Sequence, residues 1–183
     1  YEIPLRLVGS EMCIRDSIGT VTISVEATTI GCGSLIKPTK VDIPEDTNAA
    51  VLVCELLEKY GFTYEYSGTK EKNFYLARIS KNENFLTPAV PKDLEAHLLQ
   101  EDKNYPGSYY LDSLGEFDFA TGSGWMYSVN GIYPNYGFSD CYLQDGDVLR
   151  VRFTLRYGAD IGGAMASGNG GNEGDSGNWE KEW

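Results

Sequence analysis

The sequence predicts an α+β fold, a β-grasp-like mixed sheet packed on one main helix, with a short inserted helix. Three stretches carry that expectation. In residues 20–27 (TVTISVEA), Val21, Ile23 and Val25 alternate with Thr22, Ser24 and Glu26, the period of a strand with one buried face. In residues 48–60, Ala49, Leu52, Val53, Leu56, Leu57 and Tyr60 recur at helical spacing, with Glu55, Glu58 and Lys59 opposite. In residues 122–155, two strand patterns flank an Asn130-Gly131 pair and an Asp145-Gly146 pair, both suited to turns.

Taken in order, residues 1–17 stand apart. Leu7–Ser17 (LVGSEMCIRDS) resembles a translated sequencing adaptor, so 1–17 is read as a non-native segment outside the fold. It holds no apolar run of the kind a signal peptide needs. After the first strand, residues 28–40 are Gly-rich and contain Pro38, which predicts a loop or bent edge. Residues 41–44 read as a short strand. Glu45, Asp46, Thr47 and Asn48 supply capping groups and negative charge at the start of the main helix, and Gly61 suits its end. Residues 62–66 and 73–79 read as two strands around a Ser67-Gly68 turn. Pro88 and Pro91 interrupt the next stretch, and Leu94, Leu98 and Leu99 predict a short helix over 92–100 inside an insertion. Residues 109–111 read as a further short strand.

In the central stretch Trp125 and Tyr127 are expected to clamp the sheet, followed by a hairpin turn at Asn130 and Gly131. Pro134 limits the returning strand to a short run. After Asp145 and Gly146, Leu149, Val151, Phe153 and Leu155 point inward, and Arg150, Arg152 and Thr154 outward, giving a half-buried strand with a cationic outer face. From residue 164 to 183 the chain is rich in Gly, Ser, Asn and acid, and reads as a flexible linker. The folded unit is therefore expected over 18–163.

The 183 residues carry 15 Lys and Arg against 27 Asp and Glu, a formal charge of −12. Such a surface repels phosphate backbones and anionic lipid, which disfavours nucleic acid and membrane surfaces as partners. With Cys13 assigned to the adaptor, Cys32, Cys54 and Cys141 remain. They allow a Cys32–Cys141 bridge or three thiols, and their spacing matches no zinc site.

The run GWMYSVNG, then PNYG, YLQDGDVLRVRFTL and GADIGG, resembles an uncharacterised bacterial surface-domain family similar to the carboxy-terminal domain of transcobalamin and intrinsic factor. The resemblance spans about residues 20–163. It implies an extracellular or cell-surface-attached module joined to neighbouring domains of a longer chain. It also implies cobalamin as the cofactor to consider, shared in those carriers with a helical domain that this chain lacks.

Candidate chemistry is sparse. The single histidine, His97, sits on a polar flank with no partner nearby in sequence, so a Ser-His-Asp arrangement is not expected and no catalytic residue is assigned. Asp140, Asp145 and Asp147 crowd one region, yet their spacing fits no EF-hand and Asp-Gly-Asp is accounted for by a turn, so no metal site is assigned. The tyrosines are more informative. Tyr133, Tyr136 and Phe138 fall in a Pro/Asn/Gly-rich loop, and with Asn135 and Asp140 they form the expected contact surface for a ligand or partner. The function expected is a non-enzymatic binding or structural module of a surface protein, with corrinoid binding as the alternative.

Overall fold

The computed structural model describes residues 16–163, 179 and 181–183; residues 1–15 of the adaptor-like segment lie outside them. Strands β1 (Ser17–Glu26) and β2 (Ser34–Pro44) precede helix α1 (Ala49–Lys59). Strands β3 (Thr63–Ser67) and β4 (Tyr75–Ser80), helix α2 (Lys92–Glu101) and strands β5 (Ser113–Gly115), β6 (Gly124–Val129) and β7 (Val148–Thr154) follow. The fold is α+β. Its strands form two sheets, a mixed four-stranded sheet in the order β2-β1-β7-β6 and an antiparallel three-stranded sheet in the order β3-β4-β5.

The first strand starts one residue before the expected domain. Ser17 pairs with Pro44, and Asp16 O accepts the Glu45 amide at 3.0 Å. Strand β2 is far longer than the four residues expected. Pro38 is tolerated because β2 is an edge strand, where a missing N–H faces no neighbour. A register shift between Ile23↔Thr39 and Val25↔Ile36 places the extra residue beside that proline.

Helix α1 forms as its stripe predicts. Asn48 caps it by accepting the Val51 amide at 3.1 Å, and Gly61 beyond it takes φ +81°. Leu52, Val53, Leu56 and Leu57 are buried in the same core cluster as the inward residues of β1 and β7. Removing these four side chains from water contributes about 6–12 kcal/mol as an upper estimate. Tyr60, expected in the stripe, is 41% exposed at the helix end. In α2, Leu94 and Leu98 are buried while Leu99 faces solvent. The short strand expected at 109–111 lies instead at β5, and Tyr109, Tyr110 and Leu111 are exposed.

The hairpin turn forms with Asn130 at φ +52° and Gly131 at +83°, but the return is a single bridge, Val129↔Ile132, after which the chain leaves the sheet. Asn130 is tied to the second turn instead. Its Oδ1 accepts the Val148 amide at 2.9 Å and its Nδ2 donates to Asp147 at 2.9 Å. The other turn carboxylate, Asp145, accepts the Thr20 amide at 2.8 Å, and Gly146 takes φ +85°. Asp145 and Asp147 thus brace the joint between β1, β6 and β7.

Most of the linker expected over 164–183 lies outside the described residues; Trp179 and residues 181–183, which are described, lie against the domain. Trp183 N donates to Asp160 O at 2.9 Å, and Trp179 stacks on His97 with ring centroids 4.7 Å apart. Two indoles, the Lys181 ammonium and the Glu182 carboxylate supply these contacts, which the polar composition of the segment did not signal.

Candidate functional site: an aromatic crease beside β6

Strand β6 ends the four-stranded sheet, pairing with β7 alone. Val129 turns its amide away from β7 to Ile132 O at 2.9 Å. Trp125 and Tyr127 are in phase with Val129, so their main-chain groups also face the open edge. That edge looks across a crease at β4 of the other sheet. One depression of about 170 Å³ is lined by Phe74, Tyr75, Leu76, Trp125, Met126, Tyr127, Pro134, Gly137 and Phe138. A second, of about 350 Å³, adjoins it through Tyr75, Trp125 and Met126 and continues past Glu116, Phe117 and residues 121–124.

The walls are fixed by ring contacts and by hydrogen bonds at their rims. Trp125 is buried, its Nε1 donates to Leu114 O at 3.0 Å, and its ring meets Phe153 edge-on with centroids 5.2 Å apart. This bond joins the two sheets at the floor of the crease. Tyr127 stacks on Phe138 at 4.3 Å, Phe138 meets Phe74 edge-on at 6.0 Å, and Phe74 stacks on Tyr66 at 5.0 Å. The Tyr127 hydroxyl donates to Tyr136 O at 2.7 Å, and burial pushes that phenol well above its ordinary range. Tyr75 remains 41% exposed, and its hydroxyl donates to Glu116 at 2.6 Å. Burial, reinforced by Glu116, raises its pKa too. Ser123 is 7% exposed, lines the second depression, and its hydroxyl has no hydrogen-bond partner among the described residues.

Of the expected contact residues, the structure divides one set into two. Tyr136, Asn135 and Asp140 are exposed. Tyr133 and Phe138, expected as contacts, are each 4% exposed and belong to the interior. Phe138 is held in the aromatic ladder just described. Tyr133 donates to Ile161 O at 2.8 Å and packs its ring on Gly163, where an added Cβ would lie 3.0 Å from it. The loop is pinned at its far end, since Phe74 N donates to Ser139 Oγ at 3.2 Å and Asn48 Nδ2 to Ser139 O at 3.1 Å. Trp125 and Tyr127 are structural, as expected, but they also line the crease. Phe74, Tyr75 and Met126 were missed, because only tertiary packing brings β4 opposite β6.

The outer face of β7 differs from expectation. Arg150 is partly exposed, but Arg152 and Thr154 are each 2% exposed. Tyr133, the turn at Ala159–Ile161 and the far end of the chain cover them. Thr154 bonds Asp160, whose other oxygen accepts the Leu155 amide at 2.7 Å; burial raises the pKa of this carboxyl. Glu26 is 7% exposed. Burial alone would raise its pKa, but bonds from Arg150, at 2.8 and 2.9 Å, and from Ser24 outweigh that and lower it.

The buried carboxylates therefore have structural partners. Asp118 takes a forked pair of bonds from Arg78 at 2.8 and 2.9 Å, and Asp102 accepts from Thr121. Cys32, Cys54 and Cys141 are free, and burial raises each thiol pKa, the opposite of nucleophile activation. No group of three or more potential metal ligands gathers among the described residues. His97 is solvent-exposed as expected, but it lies between two indoles, Trp179 stacked on it and Trp183 edge-on at 5.8 Å.

A family model described as a domain of unknown function, DUF4430, matches residues 90–155. That span includes α2, β5, β6 and β7, so it contains the β6 wall of the crease but not the β4 wall. No curated protein matches the chain. Over residues 90–155 the chain is similar to that domain of unknown function.

Proposed function

We propose that the chain is a non-enzymatic binding module of a modular extracellular protein, and that it grips an extended segment of a partner protein in the crease beside β6. The observation that carries this is the open edge of β6, with main-chain groups of Trp125 and Tyr127 facing an aromatic-lined channel. An extended peptide laid there gains ladder hydrogen bonds from the edge and side-chain contacts from the rings. Tyr75, Met126 and Phe117 offer apolar surface. The exposed ring of Tyr136 extends the same surface at its rim.

The test is selection of binders from a library of unstructured peptides, followed by amide chemical-shift mapping. The proposal expects perturbations along 124–129 and 74–77, and loss of binding on Met126→Arg with the fold intact. Perturbations confined to other surfaces would refute it. The transcobalamin resemblance supports a second reading, a corrinoid contact. As a shared site, the crease would meet only part of the macrocycle. Titration with cobalamin, followed by absorbance, decides it: no change at millimolar ligand removes the corrinoid reading for this chain.

A further inference from the structure

Arg152 is a buried cation that donates no hydrogen bond to a carboxylate within residues 16–163. Within residues 16–163, its Nη1 donates to the Tyr133 hydroxyl at 3.2 Å and Ile161 O at 3.3 Å, and its Nη2 to Thr28 Oγ1 at 3.3 Å. All three acceptors are neutral. Glu26 is committed to Arg150 and lies 3.9 Å from Arg152 Nε, which has no hydrogen-bond partner. The segment that covers Arg152 to 2% exposure must also compensate its lost hydration, which the neutral acceptors and Glu26 at 3.9 Å balance only in part.

A second carboxylate arrives from the far end of the chain. Glu182 pairs with Arg152 and lies 3.5 Å from Arg150. Trp183 O accepts from Arg152 and from Thr28 Oγ1 at 3.0 Å. On the flank, Asp93 of α2 takes the Trp183 indole N–H at 3.1 Å and pairs with Lys181, while His97 is held between the two indoles. Each feature of the segment meets a matching feature of the face: carboxylate to arginines, indoles to imidazole, ammonium to aspartate.

We propose that the outer face of β7, bounded by Thr28 and α2, is a docking site for an acidic peptide flanked by tryptophans, and that Trp179 and residues 181–183 of this chain fill it in cis. The tie is non-covalent and spans few residues, so the same motif supplied in trans competes for the site. Tethering favours the cis segment by the effective concentration of a linked site, about 10²–10⁴-fold. This site is separate from the crease and does not depend on it.

His97 is the sole histidine, so its Hε1 proton gives one unambiguous NMR signal. In the full chain the proposal expects that signal shifted upfield by the stacked indole, and returned toward its free position in Trp179→Ala/Trp183→Ala. An amidated peptide of residues 177–183 (GNWEKEW) added to that double variant should restore the upfield shift with saturation. Added to the wild-type chain, it should act only at a concentration about 10²–10⁴-fold higher. The same peptide carrying Glu182→Gln should bind the double variant at least about 10-fold more weakly, the loss of one charge-assisted contact. An unshifted His97 in the wild-type chain, absence of binding by the folded double variant, or equal binding of both peptides would overturn the proposal. Should the double variant unfold, Glu182→Gln in the full chain decides: an unchanged His97 shift, together with an unchanged Tm, would refute the docking role of the carboxylate.

Discussion

Trp125 is the residue whose replacement tests the most of this structure at once. It closes the core against Phe153, bonds Leu114 O across the sheet junction, and floors the crease. Removing a buried aromatic typically costs about 3–5 kcal/mol. Leu114 is fully buried, so Trp125→Ala also leaves its carbonyl without the indole donor, a penalty of about 1–3 kcal/mol unless water enters from the crease. Some entry is expected because the site opens on that side, so we predict about 4–6 kcal/mol in total. At about 2–4 °C per kcal/mol for a chain of this size, Tm should fall by roughly 8–24 °C. Trp125→Phe separates the parts, keeping most of the ring while losing the donor, and should cost about 1–3 kcal/mol. Urea unfolding should be followed by circular dichroism, since Trp125 is one of only three tryptophans and fluorescence would change its own probe. A loss below about 1 kcal/mol for Trp125→Ala would show that the ring does not hold the two sheets together.

Other outcomes follow from the same contacts. Phe138→Ala should cost about 3–5 kcal/mol, whereas Tyr136→Ala should stay within about 0.5 kcal/mol and weaken peptide binding; the two are separated by parallel denaturation and binding curves. Tyr133→Phe should cost about 1–2 kcal/mol in urea unfolding, since it removes the hydroxyl that donates to Ile161 O and accepts from Arg152. Glu26 has a folded-state pKa below its ordinary value, so its contribution is present above about 4.5 and is lost as pH falls through the folded value. The stability gap between the wild-type chain and Glu26→Gln should therefore shrink as pH is lowered below about 4.5, and a gap constant with pH would contradict the pairing. Deleting residues 1–17 should cost no more than about 0.5–1.5 kcal/mol, the loss of the Asp16–Glu45 bond and the first pair of β1, read as a shift in the urea midpoint.

Local signals were legible where local physics decides the outcome. The apolar stripe and Asn48 cap of α1, the Asn130-Gly131 turn and the Asp145-Gly146 turn are all short-range features, and each forms. Alternation in β7 identified Leu149, Val151 and Phe153 as inward, but a period of two says only that the faces differ. Nothing in it tells whether the second face is covered, so Arg152 and Thr154 were placed in solvent. The parallel pairing of β1 with β7 joins Val25 to Val151 across most of the chain and has no local signature. The loop at 132–139 illustrates the same limit. Its aromatic content marked it as unusual, yet only the positions of Phe74, Arg152 and Ile161 decide that Phe138 and Tyr133 turn inward while Tyr136 does not.

The two edges of the four-stranded sheet are treated differently, and the contrast bears on function. An exposed edge invites pairing with other chains, and proteins blunt it with proline, lysine, irregular register or a cover. Strand β2 has three of these devices: Pro38, the lysines at 37 and 40, and three register shifts against β1. Strand β6 has none of them. It runs in unbroken register with β7 from Gly124 to Val129, and neither a charge nor a proline lies along it. Its protection is concavity alone, since the opposing β4 and the loop ending at Phe138 leave a channel rather than a flat approach. Guarding one edge chemically and the other only by shape is what selective strand addition requires, and this contrast supports the crease over the flat outer surfaces in the proposed binding role.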